Sequence, residues 1–313
     1  MPGATSSQTD RRHAVLDGGL ACEHGPVLVP SVPPDAHAAT ILTSWTLNPL
    51  AIVPIVAAAW LYGMGLRRAA RSGTPHPHRS AVAFFAGLAV VVLALASPID
   101  AYAEASFSVH MAQHLLLTLL APPLLALGAP ITLALRATRP ATAKLFSRLL
   151  RSEVAVILSN PIVGWVLFVG VGFVIHLTPL FDLALRSPAI HALEHALWLG
   201  AALVYWWPIV GRDPTPHPMS HPVRLLSLFL AMPAMSFLAL AIYSARVPLY
   251  DGYAALPAPW GPAALADQRG AATMMWLVGN LALVVAMLIV AAAWKRDEDA
   301  RQRRLEARMS GGS

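Results

Sequence analysis

The 313-residue chain is 57% hydrophobic and 12% charged, against about 25% charged residues in ordinary soluble domains. This composition excludes a soluble domain of any size and places the chain in a bilayer. The 22 Lys and Arg exceed the 16 Asp and Glu, but they are spread between apolar stretches rather than gathered in one patch, which argues against a nucleic-acid partner. A single cysteine, Cys22, excludes a disulfide framework and any CxxC metal motif.

Residues 1–46 are small, polar and proline-rich, with no apolar core of signal-peptide length, and read as a disordered external tail. Cys22, Glu23 and His24 in that tail lack the fixed structure that a metal site needs. Crossing hydrocarbon takes about 20 mostly apolar residues. Seven stretches meet that requirement, near 47–66, 80–97, 108–135, 157–177, 190–210, 222–244 and 271–294. They predict an all-α fold, a polytopic membrane bundle of about seven transmembrane helices spanning 47–294. The third stretch is long and holds Pro122, Pro123 and Pro130, which predicts a kink with freed carbonyls bonded by neighbouring helices. Pro54, Pro161, Pro208 and Pro233 read as ordinary bends. The connections 67–79 and 211–224 hold His76, His78, His217 and His221 among prolines and read as short solvated loops. Residues 295–313 form a basic tail suited to anionic lipid. The segments that follow the first, third, fifth and seventh stretches carry 17 of the 22 Lys and Arg. By the positive-inside bias the amino terminus is outside and the carboxyl terminus cytoplasmic.

An ionisable side chain at mid-bilayer costs about 2.5 kcal/mol or more, so such groups mark where function sits. His110 and His114 open the third stretch, His176 closes the fourth, and His191 and His195 open the fifth. Alternating span direction puts all five on the outer side. Four residues advance a helix by ~400° and ~6 Å, so each spaced pair projects from one face, one turn apart. Glu194 lies beside His195 and can hold an imidazole in one tautomer. Asp267, Met274 and Met275 stand at the outer end of the seventh stretch, and Met111 sits between the first two histidines. Imidazole and thioether together suit Cu(I) better than a hard ion. Set against this, a lone boundary histidine is more often hydrogen-bonded than ligating, and a methionine near a helix end is usually packing. The two pairs on one side are harder to dismiss than His176, Met111 or Met275 taken singly.

The run Ser97-Pro98-Ile99-Asp100, then His110-Met111-Ala112-Gln113-His114, then Ala121-Pro122-Pro123 through Gly128-Ala129-Pro130 resembles the multispan, CtaG-type cytochrome c oxidase assembly factor family. His191 to His195, Tyr205-Trp206-Trp207-Pro208, Pro248-Leu249-Tyr250 with Tyr253, and Asp267-Gln268-Arg269 followed by Met275-Trp276 extend the resemblance over roughly residues 80–294. It implies a role in maturing haem–copper terminal oxidases in a bacterial plasma membrane, at the step that supplies or positions copper at the binuclear centre. Oxidase subunits are then the partners and copper the cargo. The family's characteristic positions carry over as His110, His114, His191, His195, His176, Asp267 and Met275. Arg269 stands where the family pattern suggests a neutral or small polar residue.

The reading is therefore a Cu(I) holder whose unprotonated imidazoles, with Met111, Met275 or His176 completing the shell and Glu194 and Asp267 supporting it, release copper to a docked oxidase subunit. Two other readings stay open: a b-type haem protein with ligation such as His114 with His195, and a metal-free scaffold for oxidase subunits. A copper transporter would need ligands at successive depths, and the inner halves of the stretches offer little beyond Met232 and Met235. With no nucleophile–base pair, phosphate loop or paired catalytic carboxylates, an enzyme is not expected.

Overall fold

A computed structural model describes residues 43–255 and 262–310. Most of the proposed tail, including Cys22, Glu23 and His24, lies outside the described residues. At its inner end Thr46 is tied down: its N–H donates to Ala96 O at 3.0 Å and its hydroxyl to Asp100 Oδ2 at 2.6 Å.

The described residues are helical throughout, with no strand among them. Among the described residues the first long helix is α1 (Pro49–Arg71), started by Asn48, whose side chain accepts from Leu50 N, and it continues through Pro54 without a break. Helix α2 (His78–Ala96) leads through Ser97, which caps the short α3 (Pro98–Ala103), to α4 (Phe107–Leu115). A five-residue π-helical turn, Leu116–Leu120, then joins α4 to α5 (Ala121–Leu127) and, past a second break, α6 (Pro130–Ala137). At that break Ala129 takes a left-handed conformation (φ 49°).

The long stretch is interrupted by the π turn and at Ala129, and the expected bonding of its freed carbonyls is present. Thr118 O in the π turn accepts from Trp206 Nε1 at 2.9 Å, and Gly128 O accepts from Tyr62 Oη at 2.7 Å and His76 Nε2 at 2.9 Å.

The surface helices α7 (Pro140–Leu149) and α8 (Glu153–Leu158) precede α9 (Pro161–Leu177), which turns by 72° into the short α10 (Leu180–Arg186). Helices α11 (Pro188–Val210), α12 (His221–Ser244), the single turn α13 (Asp251–Ala254) and the 47-residue α14 (Ala264–Ser310) complete the chain.

Helices occupy all seven predicted stretches, yet only five of them are long and apolar enough to cross a membrane, or six if the bent α9–α10 pair is one span. The chain is a multi-pass membrane protein whose count of seven is not reached on that measure. The shortfall has a physical source: α11 is long enough but carries His191, Glu194 and His195, and these polar groups lower its hydropathy.

Two apolar cores hold the bundle. One gathers Phe107, Met111, Phe168, Trp198, Leu238 and Met275; the other gathers Tyr62, Phe84, Leu88, Leu125 and Leu133. The segment from α4 to α5 belongs to both, because Met111, Leu115 and Leu119 face the first while Leu117, Ala121 and Leu125 face the second. Side chains such as Phe237, Leu281 and Leu288 point outward, as expected where the surrounding solvent is acyl chain. The long helices α12 and α14 pack along one another.

The loops read as solvated are in fact built in. His76 bonds Gly128 O, His217 Nδ1 lies 3.0 Å from Ser159 Oγ, and Asp213 is buried. The Asp213 carboxylate accepts from Ile131 N, Thr132 N and Thr132 Oγ1 at 3.1, 2.7 and 2.7 Å, capping α6. Burial pushes its carboxyl above the usual range, while the Thr132 and Ile131 bonds and nearby His76 pull the other way.

Candidate metal centre

The first histidine pair depends on how α4 is anchored. Ser106 caps the helix, and Asp267, reaching over from α14, accepts from Phe107 N at 2.7 Å, Ser108 N at 3.3 Å and Ser106 Oγ at 3.2 Å. A carboxylate placed on the exposed N–H groups of a helix start is favoured by both hydrogen bonding and the helix dipole. One turn on, Gln113 Nε2 donates to Ala94 O at 2.8 Å and Asp100 Oδ1 at 2.9 Å, which fixes the rotation of α4 against α2 and α3. His110 and His114 then emerge from one face, with ring centroids 4.4 Å apart and their Nε2 atoms 2.9 Å apart.

Helix α11 brings the second pair to the first. His191 and His195 have ring centroids 4.3 Å apart, and the His110 ring lies 5.2 Å from His191 and 6.1 Å from His195. One possible ligand atom each from His110, His191 and His195 falls within 4.8 Å of the others; the same is true of His110, His114 and Glu194. His110, His114, Glu194 and His195 are buried and His191 partly so. Glu194 Oε1 sits 3.4 Å from His114 Nε2 and accepts from Trp198 Nε1 at 3.4 Å.

Proton bookkeeping sets one tautomer. Tyr253 Oη donates its only proton to Ala103 O at 2.6 Å, so at 2.8 Å from His110 Nδ1 it can only accept. His110 therefore carries its proton on Nδ1 and turns a lone pair on Nε2 toward His114. Around it, His114 Nδ1, His191 Nε2, His195 Nε2 and Glu194 Oε2 are buried with no hydrogen-bond partner. Buried polar atoms are ordinarily paired, and several without a partner meet in this one cluster.

The other predicted residues separate into distinct places. His176, Met111 and Met275 line a cavity of about 40 Å³ beside the cluster, together with His114, Trp198 and Met235. His176 donates from Nδ1 to Gly172 O at 3.0 Å, its Nε2 is an orphan, and its ring is 6.0 Å from that of His114. Met274 packs against the core without lining the cavity. Glu194 belongs to the cluster, whereas Asp267 holds the helix that presents it.

Sequence reasoning missed Trp198 and Phe181, weighed Tyr253 only as part of a motif, and put Met235 in the inner half of the sixth stretch, whereas it lines the cavity with His114 and His176. Phe181 is wholly buried, 5.0 Å from the His110 ring and 5.4 Å from that of His176, and with Tyr250 at 4.3 Å it roofs the site. The i, i+4 relation of Glu194 to Trp198 was a usable signal; the long-range contacts of Phe181 and Tyr253 left none. On the other flank a cleft of about 210 Å³ between α1 and α11 reaches His191 and His195 past Asp100 and Glu104.

Uncharacterized proteins of Mycobacterium bovis and Mycobacterium tuberculosis are each 31% identical to the chain over 268 residues, which is 83% of this chain and 40% of theirs. A further uncharacterized protein, of Mycobacterium leprae, is 29% identical over 275 residues, 85% of this chain and 42% of its own length. The chain thus spans about two-fifths of the length of these curated relatives. No solved structure matches it. The sequence profile of the cytochrome c oxidase caa3 assembly factors, the CtaG type, matches residues 60–297, a segment that includes the anchored α4, the π turn and both histidine pairs, and the chain belongs to that family.

Proposed function

We propose that this cytochrome c oxidase assembly factor holds Cu(I) as cargo on His110, His114, His191 and His195 and passes it to an oxidase subunit docked at the same face of the bundle. The observation that carries the reading is the pair of buried, unpartnered ring nitrogens on His191 and His195 beside the lone pair that His110 turns toward His114 Nε2. Two imidazole nitrogens 2.9 Å apart can share one ion at an ordinary metal–nitrogen distance of about 2 Å. Imidazole is a good ligand for copper, and a shell of neutral nitrogens without a thiolate keeps exchange fast. With the amino terminus outside the cell, the site lies near the outer leaflet of the plasma membrane, and the cleft past Asp100 and Glu104 gives copper a lateral way in or out.

Haem is served less well, because a porphyrin between His114 and His195 would have to displace His110, whose ring centroid is 4.4 Å from one and 6.1 Å from the other.

The test is copper and haem quantitation on detergent-purified protein, with the His110→Ala/His114→Ala/His191→Ala/His195→Ala variant beside wild type. Copper in wild type and its loss in a variant of unchanged helix content support the reading. Equal copper in both overturns it. A reducible Soret band at about one haem per chain would favour haem, and full oxidase assembly with the metal-free variant would favour a scaffold.

A further inference from the structure

The small cavity beside the histidine cluster has a wall chemistry of its own. Met111 comes from α4, Met235 from α12 and Met275 from α14, and they meet His114 and His176 around a space of about 40 Å³. Met111 and Met275 are 2% and 5% exposed, and Met235 is half-buried. His114 Nδ1 and His176 Nε2 are both buried without a partner.

Packing alone accounts poorly for this combination. Methionine is flexible and fills irregular gaps, yet three of them border a cavity that is left open. Two imidazole nitrogens nearby go unpaired, which burial penalises unless something binds them. The backbone also makes room for one of the sulfurs: a Cβ at Gly279 would fall directly on Met235 Sδ. Thioethers are poor ligands for hard ions and for zinc, and good ones for Cu(I). No acidic residue lines the cavity, which fits a monovalent ion.

We propose that the cavity is a second Cu(I) site, formed by the thioethers of Met111, Met235 and Met275 with His176, and separated from the histidine cluster by the ring of His114. The proposal rests on the copper reading of that cluster and adds a second, sulfur-rich site to it. His114 presents Nε2 to His110 and Glu194 while its Nδ1 has no other partner, so one ring borders both ions. The thioether site holds the reduced ion only.

Anaerobic titration of the full-length protein with Cu(I) against a chromogenic chelator, with X-ray absorption on the product, tests this in a Cys22→Ser background that removes the only thiol. Wild type should bind two Cu(I) per chain, with sulfur among the scatterers. The volume-conserving Met111→Leu/Met235→Leu/Met275→Leu variant should bind one ion, with nitrogen alone. The His110→Ala/His191→Ala/His195→Ala variant should keep one, sulfur-ligated. Two ions retained in the leucine variant, or no sulfur scattering in wild type, would overturn the second site, and the wild-type spectrum decides even if the leucine variant fails to fold. If the alanine variant kept both ions while the leucine variant lost one, the histidine-cluster reading would fail and the thioether site would stand.

Discussion

The hydroxyl of Tyr253 has one proton to give, and because Ala103 O takes it, the ring of His110 is left with a single way to sit. Removing that hydroxyl leaves His110 free to rotate or to move its proton to Nε2, where it would occupy the lone pair proposed for copper. Loss of such a supporting hydrogen bond typically weakens metal binding 10–100-fold, so Tyr253→Phe should lower Cu(I) affinity by about tenfold in a competition titration, with helix content unchanged. The histidine pairs themselves were legible from spacing, since two imidazoles four residues apart share a helix face whatever surrounds them. Tyr253 was not, because it lies 143 residues from His110 and no local pattern links them. Met235 was set apart with the inner halves of the stretches for a related reason: only the packing of α12 against α14 brings it to Met275.

At the scale of the element, α4 is a short helix made rigid by its neighbours. The Asp267 carboxylate on its first turn makes charge-assisted hydrogen bonds of the kind worth about 1.5–3 kcal/mol. Asp267→Ala should therefore reduce stability by about that amount in a thermal melt and loosen the histidine pair, so copper content should fall with it. Asp213 does the same capping work for α6, beyond the Val210 end of α11 and so far from the histidine cluster. Asp213→Ala should cost about 1–2 kcal/mol of stability and leave bound copper unchanged; equal copper loss in the two variants would mean that global destabilisation explains both. Asp267 looked like a group supporting the metal because it stands at the same end of the bundle as the histidines. Its bonds show that it acts on backbone N–H groups, a distinction that depth in the membrane cannot draw.

Over the whole molecule, the apolar runs placed every long helix, while the break between α9 and α10 and the embedding of the 211–220 loop lay beyond any periodicity, since both depend on contacts between distant segments. Helix α14 is about 70 Å long at ~1.5 Å per residue, more than twice the ~30 Å hydrocarbon core, so its basic end must stand clear of the acyl chains. With 17 of 22 Lys and Arg following alternate spans, a cytoplasm-active reporter fused after Ser313 should work, and one joined before residue 43 should be silent. The reverse pattern would put the histidines in the inner leaflet. The π turn at Leu116–Leu120 carries a different kind of consequence. Because a π turn takes up about one residue more than an α turn, losing one residue here would let the span rewind as regular helix with both halves still facing their present neighbours, whereas losing one from the regular helix on either side would swing everything beyond it by ~100°. Of the whole span, that stretch is where a change of one in length would be absorbed, and the regular turns flanking it are where it would not.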